Sequence, residues 1–314
     1  MEKTVTISVI IPTFNSEAKN LQLLLESLKN QSVKIDEILV INSGSSFEVS
    51  KITEKYQACF YSIERKDFDH GGTRTYAGKI AKGEILVYLT QDVIIENEFS
   101  IENLTKYFKE NKEIGATYGR QLPHKNASIF ARHSRYFIYP PASHFYSIKD
   151  IKTYGFKAGF LSNAFAAYSK NALEDVGYFD DNIIASEDNL CGLKLLQKGY
   201  VIGYISDARV FHSHNLSAIC EFKRYFDIGA FHSLKKELLK VTGFPHREGL
   251  KYVISEIVFL IKERKFHFIP VSLFRNIVKF IGYRLGRLCN FLPYRIVLSL
   301  TANKRFWERL REKK

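Results

Sequence analysis

Glu84-Ile85-Leu86-Val87-Tyr88-Leu89-Thr90-Gln91-Asp92 follows Gly83 as an apolar run of strand length closed by a carboxylate. A strand apolar at nearly every position belongs inside a sheet covered on both faces. In open sheets of that kind ligands collect beyond the carboxyl ends of the strands, which is where Asp92 stands. A hard oxygen ligand there suits a divalent cation carrying a substrate diphosphate. Taken singly, Asp at a strand end is also an ordinary turn cap, so the neighbouring segments must choose between the two.

Upstream the chain alternates strand and helix. Thr6 to Ile11 predicts a strand that ends at Pro12, and Asn20 to Lys29 carries Leu21, Leu24, Leu25 and Leu28 at helical spacing. Glu37 to Ile41 predicts a second strand, closed by Asn42-Ser43-Gly44-Ser45-Ser46, with a helix over Val49 to Tyr56. Cys59 to Ile63 predicts a third strand and Thr73 to Ala81 a helix before the run at Ile85. This alternation predicts an α/β fold with a mostly parallel central sheet and right-handed crossovers. Downstream, Glu187 to Lys198 predicts a helix stopped by Gly199 as its C′ residue, followed by a strand from Val201 to Ile205. Tyr136 to Tyr146 holds Pro140-Pro141 and five aromatic residues. It reads either as a lid over a cleft or as aromatic packing into the core.

Composition narrows the class. With 46% hydrophobic and 25% charged residues, the 314-residue chain is globular and long enough for a sizeable core. Cys59, Cys191, Cys220 and Cys289 lack CxxC spacing, so neither a disulfide framework nor a zinc cluster is expected, and a reducing compartment fits. The N-terminus has no signal-peptide layout, which predicts a cytoplasmic protein. Residues 1–218 carry 25 basic and 25 acidic residues, whereas residues 219–314 carry 21 and 8, so the whole +13 excess lies in the last third. From Arg264 to Arg305 nine basic residues are interleaved with apolar ones and no acid intervenes. Such a segment suits an anionic membrane surface, lying on it rather than crossing it. A solvated helical subdomain is the plainer reading. No recognised motif supports a nucleic-acid partner. We divide the chain into an α/β domain over residues 1–235 and a basic amphipathic helical, membrane-associating region over residues 236–314.

Four clusters follow predicted strands and would gather on one sheet edge: Pro12-Thr13-Phe14-Asn15, Asn42-Ser43-Gly44-Ser45, Asp67 through Arg74, and Thr90-Gln91-Asp92. Thr13 and Phe14 backbone groups and the Asn42 amide suit a nucleobase edge. Gly71 and Gly72 allow close backbone approach, and Arg74 suits phosphate oxygens. Ser186-Glu187-Asp188 opens a helix, where acids also serve as simple first-turn residues. Phe211-His212-Ser213-His214 follows the Val201 strand, and we expect at most one of the two histidines to reach a given metal.

These motifs, in this order, resemble glycosyltransferase family 2, the inverting enzymes of the GT-A (Rossmann-like) fold, and within it the bacterial rhamnosyltransferases. The resemblance covers roughly residues 5–235 and rests on Val9 to Asn15, Phe68 to Arg74, Leu89 to Asp92, Ser186 to Asp188 and Phe211 to His214. It implies a nucleotide-sugar donor, dTDP-L-rhamnose, held by Pro12, Thr13, Phe14, Asn15, Asn42, Asp67, His70, Gly71, Arg74 and Gln91. It further implies Mg²⁺ or Mn²⁺ on Asp92 and His212, Asp188 as catalytic base with Glu187 beside it, and a polyprenyl-diphosphate-linked glycan acceptor at the inner face of the cell membrane. Two positions depart from the family pattern. Asn42 stands where a carboxylate to the base is usual, and Gln91 replaces the first acid of an Asp-x-Asp metal motif. A UDP-hexose donor, or a membrane-associated nucleotide-binding protein without transfer activity, are the competing readings.

Overall fold

The computed structural model describes residues 5–14, 18–44, 47–236 and 246–312, so Asn15 and Ser45 lie outside the described residues. The elements run β1 (Ile7–Phe14), α1 (Ala18–Lys29), β2 (Glu37–Ser43), α2 (Phe47–Lys55), β3 (Cys59–Ile63), α3 (His70–Ile80), β4 (Ile85–Leu89) and β5 (Ile94–Ile95). There follow α4 (Ser100–Thr105), α5 (Tyr107–Glu110), β6 (Ile114–Leu122), α6 (Ile129–Ile138), β7 (His144–Tyr146), α7 (Ile151–Tyr154), β8 (Phe165–Ser169), α8 (Lys170–Asp175), α9 (Glu187–Gln197) and β9 (Val201–Phe211). Helices complete the chain: α10 (Ala218–Leu234), α11 (His246–Lys262), α12 (Ile269–Arg287), α13 (Tyr294–Leu300) and α14 (Lys304–Glu312).

Tertiary contacts divide the chain into two units. The first comprises Met1–His124, Tyr139–Asp181 and Glu187–His212, and the second Lys125–Ile138, Asn182–Ser186 and Ser213–Lys314. The first unit is a nine-stranded sheet of order β3-β2-β1-β4-β8-β6-β9-β5, with β7 pairing β9. Alternate residues of each inner strand feed two separate cores. Ile10, Leu39, Ile41, Leu86 and Tyr88 pack on one face, and Val9, Ile11, Val40, Val87 and Leu89 on the other. That is why these strands read as continuous apolar runs rather than as alternating ones.

β3, β2, β1 and β4 are parallel, as the alternation predicts. Beyond β4 the sheet changes character, because β8 enters antiparallel to both β4 and β6, while β6 and β9 are parallel. The five residues of β8, Phe-Ala-Ala-Tyr-Ser, are too short and too free of alternation to be told from a buried helical turn by sequence. Pro12 is tolerated within β1 because the ladder to β4 stops at Ile10, so its missing N–H breaks no bond there.

The lid reading of Tyr136 to Tyr146 is not what the fold shows. Tyr136 to Ile138 finish α6, Tyr139 and Tyr146 are buried, and His144–Tyr146 form an edge strand on β9. Tyr136 and Phe145 stay exposed, so the segment is partly core and partly surface. Cys59, Cys191, Cys220 and Cys289 are all free. The second unit is helical, with α10 and α12 packed along each other. Among the described residues no helix is long and apolar enough to cross a membrane.

Candidate active site

The strand ends of the first unit supply the site's floor. β1 and β2 pair through Thr13↔Asn42 and Phe14↔Ser43, which sets the first two clusters side by side. The Thr13 hydroxyl donates to the Asn42 side-chain oxygen at 2.8 Å, and the Asn42 amide donates to the Gly44 carbonyl. Both groups are buried. Gln91 has a structural task that the sequence does not reveal. Its oxygen accepts from Phe14 N–H at 2.9 Å and its amide donates to Phe14 C=O at 3.1 Å, clamping the end of β1 to the end of β4. A carboxylate could accept but not donate, which is a physical reason for Gln at this position.

The third cluster follows β3. Asp67 ends an exposed 3₁₀ turn, and Phe68 packs on Phe14 at 5.0 Å and on His70 at 5.1 Å. Asp69 caps α3 by accepting from Gly72 N–H at 2.8 Å, so the helix begins at His70, three residues earlier than its apolar pattern suggests. Gly71 is demanded by close approach: a Cβ there would sit 1.9 Å from the Asp180 carbonyl oxygen.

Arg74, one turn into α3, is buried and donates to Glu187 Oε1 at 2.7 Å and to His70 C=O at 3.1 Å. Glu187 opens α9, which is entered through Ser186 in the left-handed region (φ 65°). The structure thus pairs Glu187 with Arg74 and leaves Asp188 as a separate acid. Asp188 accepts from Asn189 N–H at 2.9 Å and Asn163 N–H at 3.3 Å. Desolvation pushes its carboxyl up to about 7; the Glu187 charge adds to the rise, while Arg74 and the two N–H donors oppose it. A carboxylate poised there has the basicity a general base needs near neutral pH.

Asp92 and His212 each present a ligand atom, within 4.8 Å of one another. Gln121, a residue the motifs did not flag, donates to Ser162 Oγ at 2.8 Å and turns its oxygen to His212 Nδ1, also at 2.8 Å. Gln121 Oε1 can only accept, so His212 Nδ1 donates to it, and Nε2 lies 3.5 Å from Asp92 Oδ2. A carboxylate oxygen and an imidazole nitrogen so placed could hold a cation between them. Replacing Asp92 by Asn removes the one carboxylate, and we expect Mn²⁺ affinity to fall at least about tenfold, since even losing an outer-shell partner costs about 10–100-fold. Isothermal titration with Mn²⁺ alone checks this; unchanged affinity would remove Asp92 from the site.

Ser162-Asn163-Ala164 ties these parts together. Ser162 holds Gln121, Asn163 N–H reaches Asp188, and Ala164 C=O accepts from Thr90 N–H at 3.4 Å, two residues before Asp92. Nothing in the local sequence marks this tripeptide, because its role lies entirely in long-range contacts. The first unit thus brings together Thr13, Phe14, Asn42, His70, Gly71, Arg74, Gln91, Asp92, Glu187, Asp188 and His212, with Pro12 beside them in β1.

A Rossmann-like sheet with a buried arginine–glutamate pair, a carboxylate beside an imidazole and a raised carboxyl at its carboxyl edge is an arrangement that fits a GT-A type transferase. The model of glycosyl transferase family 2 matches residues 8–177. The chain belongs to that family and is a glycosyltransferase. It is 38% identical over 306 residues to the O-antigen chain rhamnosyltransferase RfbN of Salmonella typhimurium, covering 97% of this chain and 96% of that one. It is 34% identical over 306 residues, with the same coverage, to the O-antigen chain rhamnosyltransferase WbaN of Salmonella anatum. In fold it is similar to a Pyrobaculum calidifontis mannosyltransferase solved with GDP-Man and Mn²⁺, at TM-score 0.59 and 17% identity over 98% of this chain and 88% of that one. A second match is S. aureus TarS 1-349 with UDP-GlcNAc, at TM-score 0.52 and 16% identity over 90% of each chain.

Proposed function

We propose that this glycosyltransferase moves L-rhamnose from dTDP-L-rhamnose to a hydroxyl of a polyprenyl-diphosphate-linked cell-surface glycan, at the inner face of the cell membrane and with inversion. The observation that carries the chemistry is the separation of the two adjacent acids, Glu187 spent on Arg74 and Asp188 raised into the range of a base. Asp188 takes the acceptor proton while the acceptor oxygen bonds to the anomeric carbon and the bond from that carbon to the diphosphate oxygen breaks. Arg74, held by Glu187, faces the charge that develops on the departing nucleotide diphosphate. Asp92 with His212 would hold Mg²⁺ or Mn²⁺, which when bound adds positive charge against the same diphosphate. The end of β1 at Thr13 and Phe14, fixed by Asn42 and Gln91, receives the nucleobase. His70 and Gly71 line the donor, and Asp67 extends its contacts.

The choice of sugar and acceptor is supported by the names of the two relatives that share nearly the whole chain. Purified protein incubated with a panel of nucleotide sugars and Mn²⁺ tests it through slow donor hydrolysis. We expect dTDP release from dTDP-L-rhamnose and none above background from UDP-hexoses. The reverse preference would overturn the donor, and hydrolysis of no donor together with no nucleotide binding would remove the transferase site altogether.

A further inference from the structure

In the second unit the polarity expected of a water-soluble helical packing is reversed. α12 buries Ser272, Lys279, Gly282 and Gly286 and leaves Leu273, Ile277, Phe280 and Ile281 open. Phe280 is 63% exposed while its neighbour Lys279 is 6% exposed. The two glycines let the backbone of α10 approach closely: a Cβ on Gly282 would lie 2.5 Å from the Phe222 carbonyl oxygen, and one on Gly286 2.0 Å from that of Phe226. Gly229 of α10 returns the contact, 2.2 Å from the Tyr283 carbonyl oxygen by the same measure. Small residues at a helix contact are the usual device where the outer surface is apolar.

α11 repeats the pattern. Glu256 is 1% exposed and accepts from Ser272, from Asn276 at 2.8 Å and from Tyr252 at 3.1 Å, with His133 3.5 Å away. Leu250, Ile254, Val258 and Ile261, one stripe at spacings of four, four and three, are exposed instead. Single exposed leucines are ordinary, but two helices with open apolar faces are not. The caps beside these faces are also apolar, with Phe291 82% exposed. Around them Lys262, Arg264, Lys265, Arg284 and Arg295 are exposed, in the stretch where no acidic residue follows Glu263 until Glu308. An apolar face set among cations complements a surface that is apolar beneath a layer of anions.

We propose that the open faces of α11 and α12, with Phe291, seat in the headgroup and acyl boundary of an anionic bilayer, their basic neighbours meeting lipid phosphates. This rests on the membrane location proposed above and gives it a contact surface, shallow insertion of apolar helix faces rather than attraction of a basic tail alone. The buried polar network of Glu256, Ser272, Asn276 and Lys279 is then the dry-side support that keeps those faces turned outward.

Flotation of the full chain with phosphatidylcholine vesicles and with 3:1 phosphatidylcholine to phosphatidylglycerol vesicles tests this, with Mn²⁺ omitted. Wild type is expected to float with the anionic vesicles. Ile277→Gln/Phe280→Gln, both at exposed positions, is expected to lower the partition constant at least about tenfold, since each side chain loses burial worth about 1.5–3 kcal/mol when complete. Phe291→Gln, outside the long helices, gives an independent variant if the double one fails to fold by circular dichroism. Lys262→Gln/Lys265→Gln should weaken binding to the anionic vesicles alone. Unchanged flotation of both apolar variants would overturn the proposal. So would a wild-type dimer in sedimentation that Ile277→Gln/Phe280→Gln dissociates, because the faces would then be covered by a second copy. Vesicle binding is read without donor, so it stands or falls separately from the sugar assignment.

Discussion

Asp188→Asn is expected to lower the rate of rhamnosyl transfer by about 10²–10⁴-fold, the range contributed by a positioned general base, with dTDP affinity unchanged within a fewfold. The variant keeps the shape and the acceptor atoms that meet Asn163 and Asn189 N–H, but cannot take a proton. In the wild type the base is active only when ionised, so kcat/KM should fall about tenfold per pH unit below about 7 and level off above it. The same residue makes a stability prediction. Its folded pKa lies above the ordinary carboxylate value of 3.8, so between roughly pH 4 and 7 the folded state binds the proton more readily than the unfolded state. Stability from this group therefore rises as pH falls through 7 and is lost above it. Asp188→Asn should accordingly raise the melting temperature relative to wild type at pH 8, and by less than half as much at pH 5. Full transfer activity in Asp188→Asn would sink the base assignment, and an unchanged melting difference between the two pH values would argue that the carboxyl is not desolvated.

Arg74→Met carries the second large effect. Arg74 and Glu187 side chains are 7% and 13% exposed, and removing one partner leaves a charge with little access to water. Breaking such a pair costs about 3–5 kcal/mol, to be read from denaturant unfolding. Activity should fall further than stability alone explains, because the charge facing the leaving diphosphate is gone. Arg74 also opposes the rise of the Asp188 pKa, so residual activity should show its acid limb at higher pH than wild type. Adding Glu187→Gln to Arg74→Met removes the stranded charge; the double variant should recover most of the stability and none of the activity. A double variant as unstable as the single one would show that the ion pair is not what supports the α3 to α9 contact.

These two effects rest on residues whose types and positions are legible in the chain. Apolar runs long enough for buried strands, each closed by a polar cluster, predict that those clusters meet at the carboxyl edge of β1 through β4, because strand burial and the parallel crossover are local and topological facts. Asp92, Arg74 and Asp188 stood out by the same logic. Their partners did not. Whether Glu187 meets Asp188's substrate or Arg74 is settled across 113 residues of chain, and the work of Gln91 on Phe14 across 77. Gln121 and Ser162-Asn163-Ala164 carry no local signal at all.

The division is sharpest in the C-terminal helices. Sequence alone determined that residues 264–305 are basic, apolar and free of acids, and that their helices are amphipathic, for composition and spacing are properties of the chain itself. Which face turns inward was decided only by tertiary structure. Gly282 and Gly286 admit α10 at a distance no larger side chain allows, and Glu256 collects the polar groups of the opposing helix, so the small and polar face is the one that packs and the phenylalanines are left outside.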